Sequence, residues 1–434
     1  MSASFDAVVV GAGPAGSAAA LVLARGGRRV ALLERGPFPG SKNMYGGVVY
    51  GRVLDQLIPG WWDEIPVQRW VTRRATMVLT DTQALTIDFR TERWGEAPYN
   101  GCTTLRPEFD SWLADRAVAA GAVLITSTTA TSLRRDPNGR VSGVTTDRPD
   151  GEIEAPIVIA CDGVNSFLAK EAGLYHHPEP EHFTLGAKEV LALPREVINE
   201  RFGLTGDQGA DYEILGGTGA VPGGAFLYTN AESVAVGVVL QLPALGRSGR
   251  RPEQYIADVK SHPAIAPLVA GGELKEYSAH LIPEGGYDAM PGLTADGLLI
   301  AGDAAGLCLA AGIWLEGVNF AIGSGAAAGD AALEALAAGD TTAAGLAGYR
   351  RRLEASFVLK DHKKLRRAPG LVLSPRMQQM YPAVICDMIE AMFTVDNPAA
   401  KPGARRLMRQ QLKARKVKLR HVASDAWAAV RTFG

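Results

Sequence analysis

Short apolar runs with little alternation punctuate this chain. Ala7–Val10, Arg29–Leu33, Ile157–Ala160 and Leu298–Ala301 each stop at a glycine-rich or acidic turn. Runs that short and that uniformly apolar predict strands buried on both faces, as in a parallel sheet. Ala7–Val10 enters Gly11-Ala12-Gly13-Pro14-Ala15-Gly16, and the small residues of Ser17–Arg25 predict a helix packed closely on that strand. Leu298–Ala301 enters Gly302-Asp303-Ala304-Ala305-Gly306, and Ile157–Ala160 leads to Asp162-Gly163. Asn138-Gly139, set between Ser132–Arg135 and Val141–Thr145, predicts a hairpin. From about residue 180 to 290 the pattern changes to short alternating segments such as Phe226–Tyr228 and Ser233–Leu240. That pattern predicts an antiparallel sheet with one face covered. From about residue 323 the chain reads as helical and alanine-rich, then basic.

These elements predict an α/β protein, α+β overall, with a Rossmann-like dinucleotide domain that is discontinuous in sequence. That domain is placed at residues 1–75, 101–170 and 291–345. A β-rich substrate domain takes 76–100 and 171–290, and a helical basic region takes 346–434.

The first glycine turn can hold a pyrophosphate, because the free N–H groups and dipole at a helix N-terminus favour negative charge. Gly11, Gly13 and Gly16 carry that reading, with Pro14 and Ala15 between them. Glu34 ends the second strand some twenty residues on, where a carboxylate accepts both hydroxyls of an adenosine ribose. An acid there, followed by Arg35, disfavours a 2′-phosphate. Gly302-Asp303 places a second carboxylate at a similar strand end, suited to a polyol hydroxyl. A dinucleotide with a sugar-alcohol arm uses both, which points to FAD.

Arg106 precedes an amphipathic helix bearing Phe109, Trp112, Leu113 and Arg116, and its guanidinium suits the pyrophosphate. A surface salt bridge is the plainer reading of Arg106, and core packing that of Phe109 and Trp112. Asp162-Gly163 is read either as a cofactor contact or as a helix cap. Gly317, Val318 and Asn319 begin a helix whose N–H groups can face the electron-rich end of a reduced isoalloxazine. Leu307, Leu309, Ile313, Trp314 and Leu315 either line an apolar pocket beside that flavin or fill the core. Gly216-Gly217-Thr218-Gly219 lies in β-type sequence with the wrong spacing for a second phosphate turn, so an internal nicotinamide domain is not indicated.

A net charge of −1 gives no bulk reason to expect nucleic acid. Charge is local instead: Lys401 to Arg420 holds nine Lys or Arg and no acid, interleaved with Leu407, Met408, Leu412 and Leu419. Such a helix suits anionic lipid or an acidic ferredoxin, or packs one stripe on the body. Cys102, Cys161, Cys308 and Cys386 are too scattered for an iron–sulfur or zinc site, and the histidines, including adjacent His176 and His177, show no metal spacing, so no metal is assigned. The N-terminus shows no secretory signal and no run is long enough to span a membrane, which predicts a cytoplasmic protein.

The order of these features resembles the flavoprotein hydroxylase and geranylgeranyl reductase superfamily. Within it the chain is similar to the FixC group, relatives of electron transfer flavoprotein–quinone oxidoreductase. The resemblance rests on Pro39 to Gly47, Tyr228-Thr229-Asn230, His262 to Gly272, Glu276 to Gly286 and Ser356 to Asp361. It implies FAD, with further contacts from Lys42, Asn43, Gly46, Gly47 and Ala130. It also implies electrons received from an electron transfer flavoprotein heterodimer of FixA/FixB type and passed to a quinone. It further implies a ferredoxin-like FixX-type protein working alongside, and for this cytoplasmic chain a peripheral place at the inner face of the cell membrane. The competing expectations on the same scaffold are a geranylgeranyl reductase-like or aromatic monooxygenase-like flavoenzyme, and a non-catalytic subunit that merely holds flavin.

Overall fold

The computed structural model describes residues 3–43, 47–175, 179–312 and 314–434. The buried apolar runs lie side by side in one six-stranded sheet. Its order is Thr294–Ala295, Leu298–Ile300, Val158–Ala160, Ala7–Val10, Val30–Leu33, Val123–Ile125, and all but the first strand are parallel. Strands from three distant parts of the chain are therefore neighbours, and the turns after Val10, Ala160 and Ile300 leave the same edge of the sheet. Ligands bind at that carboxyl edge in open α/β sheets. Against one face of the sheet lies a four-stranded sheet that contains the hairpin Ala130–Arg135 and Val141–Thr146. Its Leu133, Val141, Val144 and Ile153 join the same apolar core.

The helices Pro14–Arg25 and Val318–Ala338 pack tightly on one another. The first starts three residues earlier than its sequence pattern predicts, because proline is well placed in a first turn, where its missing N–H is not needed. The second starts at Val318, at the helix start read from Gly317-Val318-Asn319 and ahead of the alanine-rich stretch from about 323. Two glycines set their separation. A Cβ on Gly325 would lie 2.0 Å from the Ala15 carbonyl oxygen, and one on Gly329 would lie 2.8 Å from the Val22 Cβ. No other side chain fits there.

The inserted sheet has nine strands and is mixed rather than antiparallel throughout. Arg69–Leu79 and Gln208–Gly216 pair in parallel, because the chain reaches the second from the far side of the sheet instead of through a hairpin. The sheet also draws on Gly47–Val49, Cys102–Thr104 and all of Arg69–Leu79, which the sequence pattern places largely with the dinucleotide domain. One face carries Ala75, Met77, Tyr212, Ile214, Leu227, Val236 and Val238, covered by the helices Arg195–Phe202, Leu242–Ser248 and Pro252–Ser261. The other face is buried as well, yet it holds charge: Lys188, Asp211, Glu213 and the Tyr228 hydroxyl are all inside.

The C-terminal region is helical, as its composition predicts. Tyr381–Phe393, Ala404–Ala414 and Leu419–Phe433 meet around Val384, Leu412 and Val417. Asp425 of the last helix takes both Nε and Nη2 of Arg376, at 2.5 and 2.7 Å, and the Tyr381 hydroxyl at 2.6 Å. Leu407 and Leu412 turn inward, whereas Met408 and Leu419 stay exposed, so the apolar stripe is only half used by packing.

The helix contact yields a paired expectation. Gly325→Ala overpacks a backbone contact and lowers stability by about 1–3 kcal/mol, read as a fall in Tm. Gly246→Ala, within the helix Leu242–Ser248 where an added Cβ meets nothing within 4 Å, leaves Tm unchanged or raises it.

Candidate functional site

In the first turn the three glycines answer three different demands. Gly11 has φ +98°, and a Cβ there would lie 2.3 Å from the Cys161 carbonyl oxygen. Gly16 admits the helix: its Cβ would lie 1.8 Å from the Gly11 carbonyl oxygen. Gly13 is different. It has an ordinary φ of −75° and its Cβ would meet nothing within 4 Å. Neither backbone strain nor packing requires glycine there, which leaves space reserved in front of the helix N-terminus. Pro14 and Ala15 are buried in that first turn. The Ser17 hydroxyl donates to the Ala12 carbonyl at 3.1 Å and so steadies the turn.

Glu34 ends the neighbouring strand, and its carboxylate accepts from the Ala12 N–H at 3.2 Å and the Gly36 N–H at 2.7 Å. Each oxygen keeps a second lone pair. The Glu34 carbonyl accepts from the Thr128 N–H, and that of Gly36 from the Ser127 N–H, which brings the approach to Ala130 alongside. Arg35 and Lys42 are exposed.

Arg106 opens the helix Arg106–Ala119 and forms a two-pronged pair with Asp110, 2.8 Å on each side, that leaves Nη1 outside the fork. Asn43 donates to the same carboxylate at 3.1 Å. Asp110 is fully buried and fixes both residues. Sequence reasoning missed it, although its i+4 spacing from Arg106 on a predicted helix carries the signal. Gly40, with φ +87°, lets the loop touch that helix start: its Cβ would lie 2.5 Å from the Arg106 carbonyl oxygen. Phe109 and Trp112 lie in the core.

At the other two strand ends, Asp162 acts at the start of the helix Phe167–Glu171, as one of its two sequence readings has it. Its Oδ2 accepts from the Leu168 N–H at 3.1 Å, while Oδ1 is buried with no partner. Gly163 has φ +76°. Gly302, with φ +66°, would place a Cβ 2.9 Å from that of Ala15, and its N–H donates to the Ser324 hydroxyl at 3.0 Å. Ser324 is a second residue that sequence reasoning missed. The Ser166 hydroxyl reaches the Ala304 carbonyl at 3.2 Å and ties the two turns together. Burial raises the pKa of Asp303, opposed by His280 of the inserted sheet and by Arg106.

Gly317 precedes the helix Val318–Ala338, and the Asn319 amide donates to Glu316 at 2.5 Å. The apolar residues ahead of it separate. Leu307 and Leu309 are buried in the core, while Trp314 and Leu315 are exposed and the Trp314 ring lies 6.1 Å from that of Phe433. Gly47 lies in the strand Gly47–Val49 at the rim of the inserted sheet. Gly46, Ile313, His176 and His177 fall outside the described residues.

This chain is similar to known proteins along most of its length. Residues 4–200 match the FAD binding domain family, and residues 368–434 match the ETF-QO/FixC family C-terminal domain. A probable electron transfer flavoprotein-quinone oxidoreductase, YdiS of Escherichia coli K12, is 42% identical over 93% of this chain and 94% of its own. Protein FixC of Salmonella typhi is 40% identical over 94% of this chain and 95% of its own. Among solved structures, a geranylgeranyl bacteriochlorophyll reductase-like protein of Thermoplasma acidophilum superposes with a TM-score of 0.73 at 20% identity, covering 98% of this chain and all of the other. The halogenase CndH superposes with a TM-score of 0.63 at 17% identity, covering 98% and 90%. Those two likenesses concern the fold. The unfilled space at Gly13, the carboxylate at Glu34 and the orphaned Asp162 oxygen are the features a bound dinucleotide would satisfy. FAD is the cofactor.

Gly13→Val fills the reserved space without touching protein. It is expected to keep a near-native Tm for the apoprotein while FAD content, read from visible absorbance, falls at least tenfold. Gly11→Val strains the backbone and loses folded protein instead.

Proposed function

The chain belongs to the ETF-QO/FixC family and is an FAD-dependent oxidoreductase; on that premise we propose that it relays electrons from an electron transfer flavoprotein of FixA/FixB type to a quinone. The single observation that carries this reading is where the exposed apolar surface lies. Trp314 and Leu315 stand immediately before the helix start at Val318, and Trp314 adjoins Phe433 of the last helix. Leu419, Trp427 and Val430 of that helix, spaced to share one face, are all more than half exposed. An apolar acceptor meets an apolar surface leading to the flavin end of the site.

FAD supplies two-electron chemistry and one-electron exchange with protein partners. The chain's own residues bind and tune it: the first glycine turn and Arg106 take the pyrophosphate, Glu34 the ribose, and Asp303 the ribityl chain. The N–H groups after Gly317 favour negative charge at the ring.

The four cysteines, all free, are dispersed. This supports a separate ferredoxin-like, FixX-type partner as the holder of any cluster. No helix among the described residues is long and apolar enough to cross a membrane. Arg405, Arg406, Arg409 and Lys413 gather along the helix Ala404–Ala414, on which Met408 is also exposed. Basic and apolar surface side by side suits peripheral contact with anionic lipid.

The decisive experiment is anaerobic. Reduced electron transfer flavoprotein should reduce the bound FAD, and a short-chain quinone should reoxidise it; rapid oxidation of NADPH by oxygen in the isolated protein would overturn the relay. For the surface, the double change Trp427→Ser, Val430→Ser is expected to lower co-sedimentation with anionic vesicles several-fold at unchanged FAD content.

A further inference from the structure

The inner face of the nine-stranded sheet is the least expected surface in the molecule. Charged residues on a sheet normally face water, but here they are enclosed between the sheet and the dinucleotide domain. Pairing places Arg74 opposite Asp211, and Asp211 opposite Tyr228. Glu213, two residues on from Asp211, shares that face. The Arg74 guanidinium binds Glu213, lies 3.6 Å from Asp211, and sits 5.5 Å from the centre of the Tyr50 ring. Lys188 donates to the Tyr228 hydroxyl at 2.8 Å. Gly237 stands opposite Lys188, where a Cβ would lie 2.7 Å from that of Lys188 and 2.4 Å from the Phe226 ring. That glycine opens the face to the two long side chains.

The face extends to the cofactor end of the site. Glu316, one residue before Gly317, interacts electrostatically with both Arg74 and Glu213, and Lys188 with Arg106. Two buried carboxyl groups, Asp211 and Glu213, thus lie at the guanidinium of Arg74, and the half-buried Glu316 adds a third negative charge that acts on it. Carboxyl groups crowded together out of water resist full ionisation, so such a cluster holds protons.

We propose that Glu213 is a proton donor to the acceptor reduced at the flavin, with Arg74 positioned to stabilise the carboxylate left behind. This rests on the quinone reading above. In the balanced step the quinone accepts two electrons and one proton from the anionic two-electron-reduced cofactor. The second proton comes from the Glu213 carboxyl, yielding quinol, oxidised cofactor and the Glu213 carboxylate. Water then returns that proton by way of the cluster.

The electrostatics agree with the geometry. Burial pushes the Glu213 carboxyl up to about 8, with Asp211 and Glu316 adding to the shift and Arg74 opposing it. Asp211, raised by burial to about 6, is mainly ionised at neutral pH, and burial lowers Lys188 to about 7. The groups facing Glu213 are therefore Arg74 and Tyr50 from one side, Asp211 on its own strand, and Glu316 from the helix start. A donor must be protonated, so quinone reduction should fall as pH rises through about 8.

The test uses the holoprotein, reduced and then mixed with either a short-chain quinone or ferricenium, which takes an electron and no proton. Glu213→Gln is expected to slow reoxidation by quinone at least tenfold and flatten its pH profile, with ferricenium reoxidation unchanged. Infrared spectra of the resting protein at pH 7 should show a protonated-carboxyl band that this variant lacks. Should Glu213→Gln fail to retain FAD, Glu213→Asp replaces it, and a displaced pH profile with normal ferricenium reoxidation is the supporting result. An unchanged quinone rate, an equal loss with both acceptors, or no difference in the carboxyl band overturns the assignment. A wild-type protein that ferricenium reoxidises and no quinone does overturns the relay reading itself, and the assignment with it.

Discussion

The architecture depends on two helices touching at backbone distance. Gly325 and Gly329 bring the helix Val318–Ala338 against Ala15 and Val22 of the helix Pro14–Arg25 with no room for any further carbon atom. Gly302 extends the same seam to the strand end by meeting Ala15 from another direction. Close packing of this kind transmits position faithfully, because a dense interior has no slack to absorb a shift. The turn that suits a pyrophosphate and the turn that carries Asp303 are therefore fixed relative to each other, although some three hundred residues separate them. Every other feature of the site is hung from that pair: Glu34 through the Ala12 N–H, Asp162 through Ser166 and Ala304, and the helix start at Val318 through its own axis.

Much of this was legible from the chain alone, for a physical reason. A strand buried on both faces must be apolar throughout, and a chain leaving it toward a ligand needs glycine. Ala7–Val10 with Gly11, and Leu298–Ala301 with Gly302, carry both marks. Asp110 was less visible. A buried acid and an exposed one look alike in sequence, and only the four-residue step from Arg106 hints that the two belong together. The inner face of the inserted sheet was not legible at all. Arg74, Asp211, Glu213 and Lys188 alternate with apolar residues as a solvated face would, and nothing local says that another domain covers them. The parallel pairing of Arg69–Leu79 with Gln208–Gly216 was hidden likewise, since strand direction depends on the route of the intervening chain.

The two faces of that sheet divide the labour between stability and chemistry. The helix-covered face, with Met77, Ile214 and Val236 packed under Ile256 and its neighbours, excludes water by ordinary apolar packing. That packing holds the opposite face in register while it carries charges that would, by themselves, favour opening to solvent. Local rules of burial are broken on one side and obeyed on the other. Conflicts of that sort concentrate where a protein does its work.

The threading of the parallel sheet has a consequence for how the protein is made. Leu298–Ile300 is hydrogen-bonded to Val158–Ala160, so until it is synthesised the strand Val158–Ala160 has an uncovered edge. The helix Pro14–Arg25 likewise waits for Val318–Ala338 to cover its alanine face. A ribosome must therefore deliver more than three quarters of the chain before the nucleotide fold can close. During that interval the inserted sheet, whose strands lie within residues 47–283, is available to fold first. The emerging chain thus exposes apolar surface for as long as translation takes to reach the final helix of the seam, which makes early chaperone engagement a natural demand of this topology.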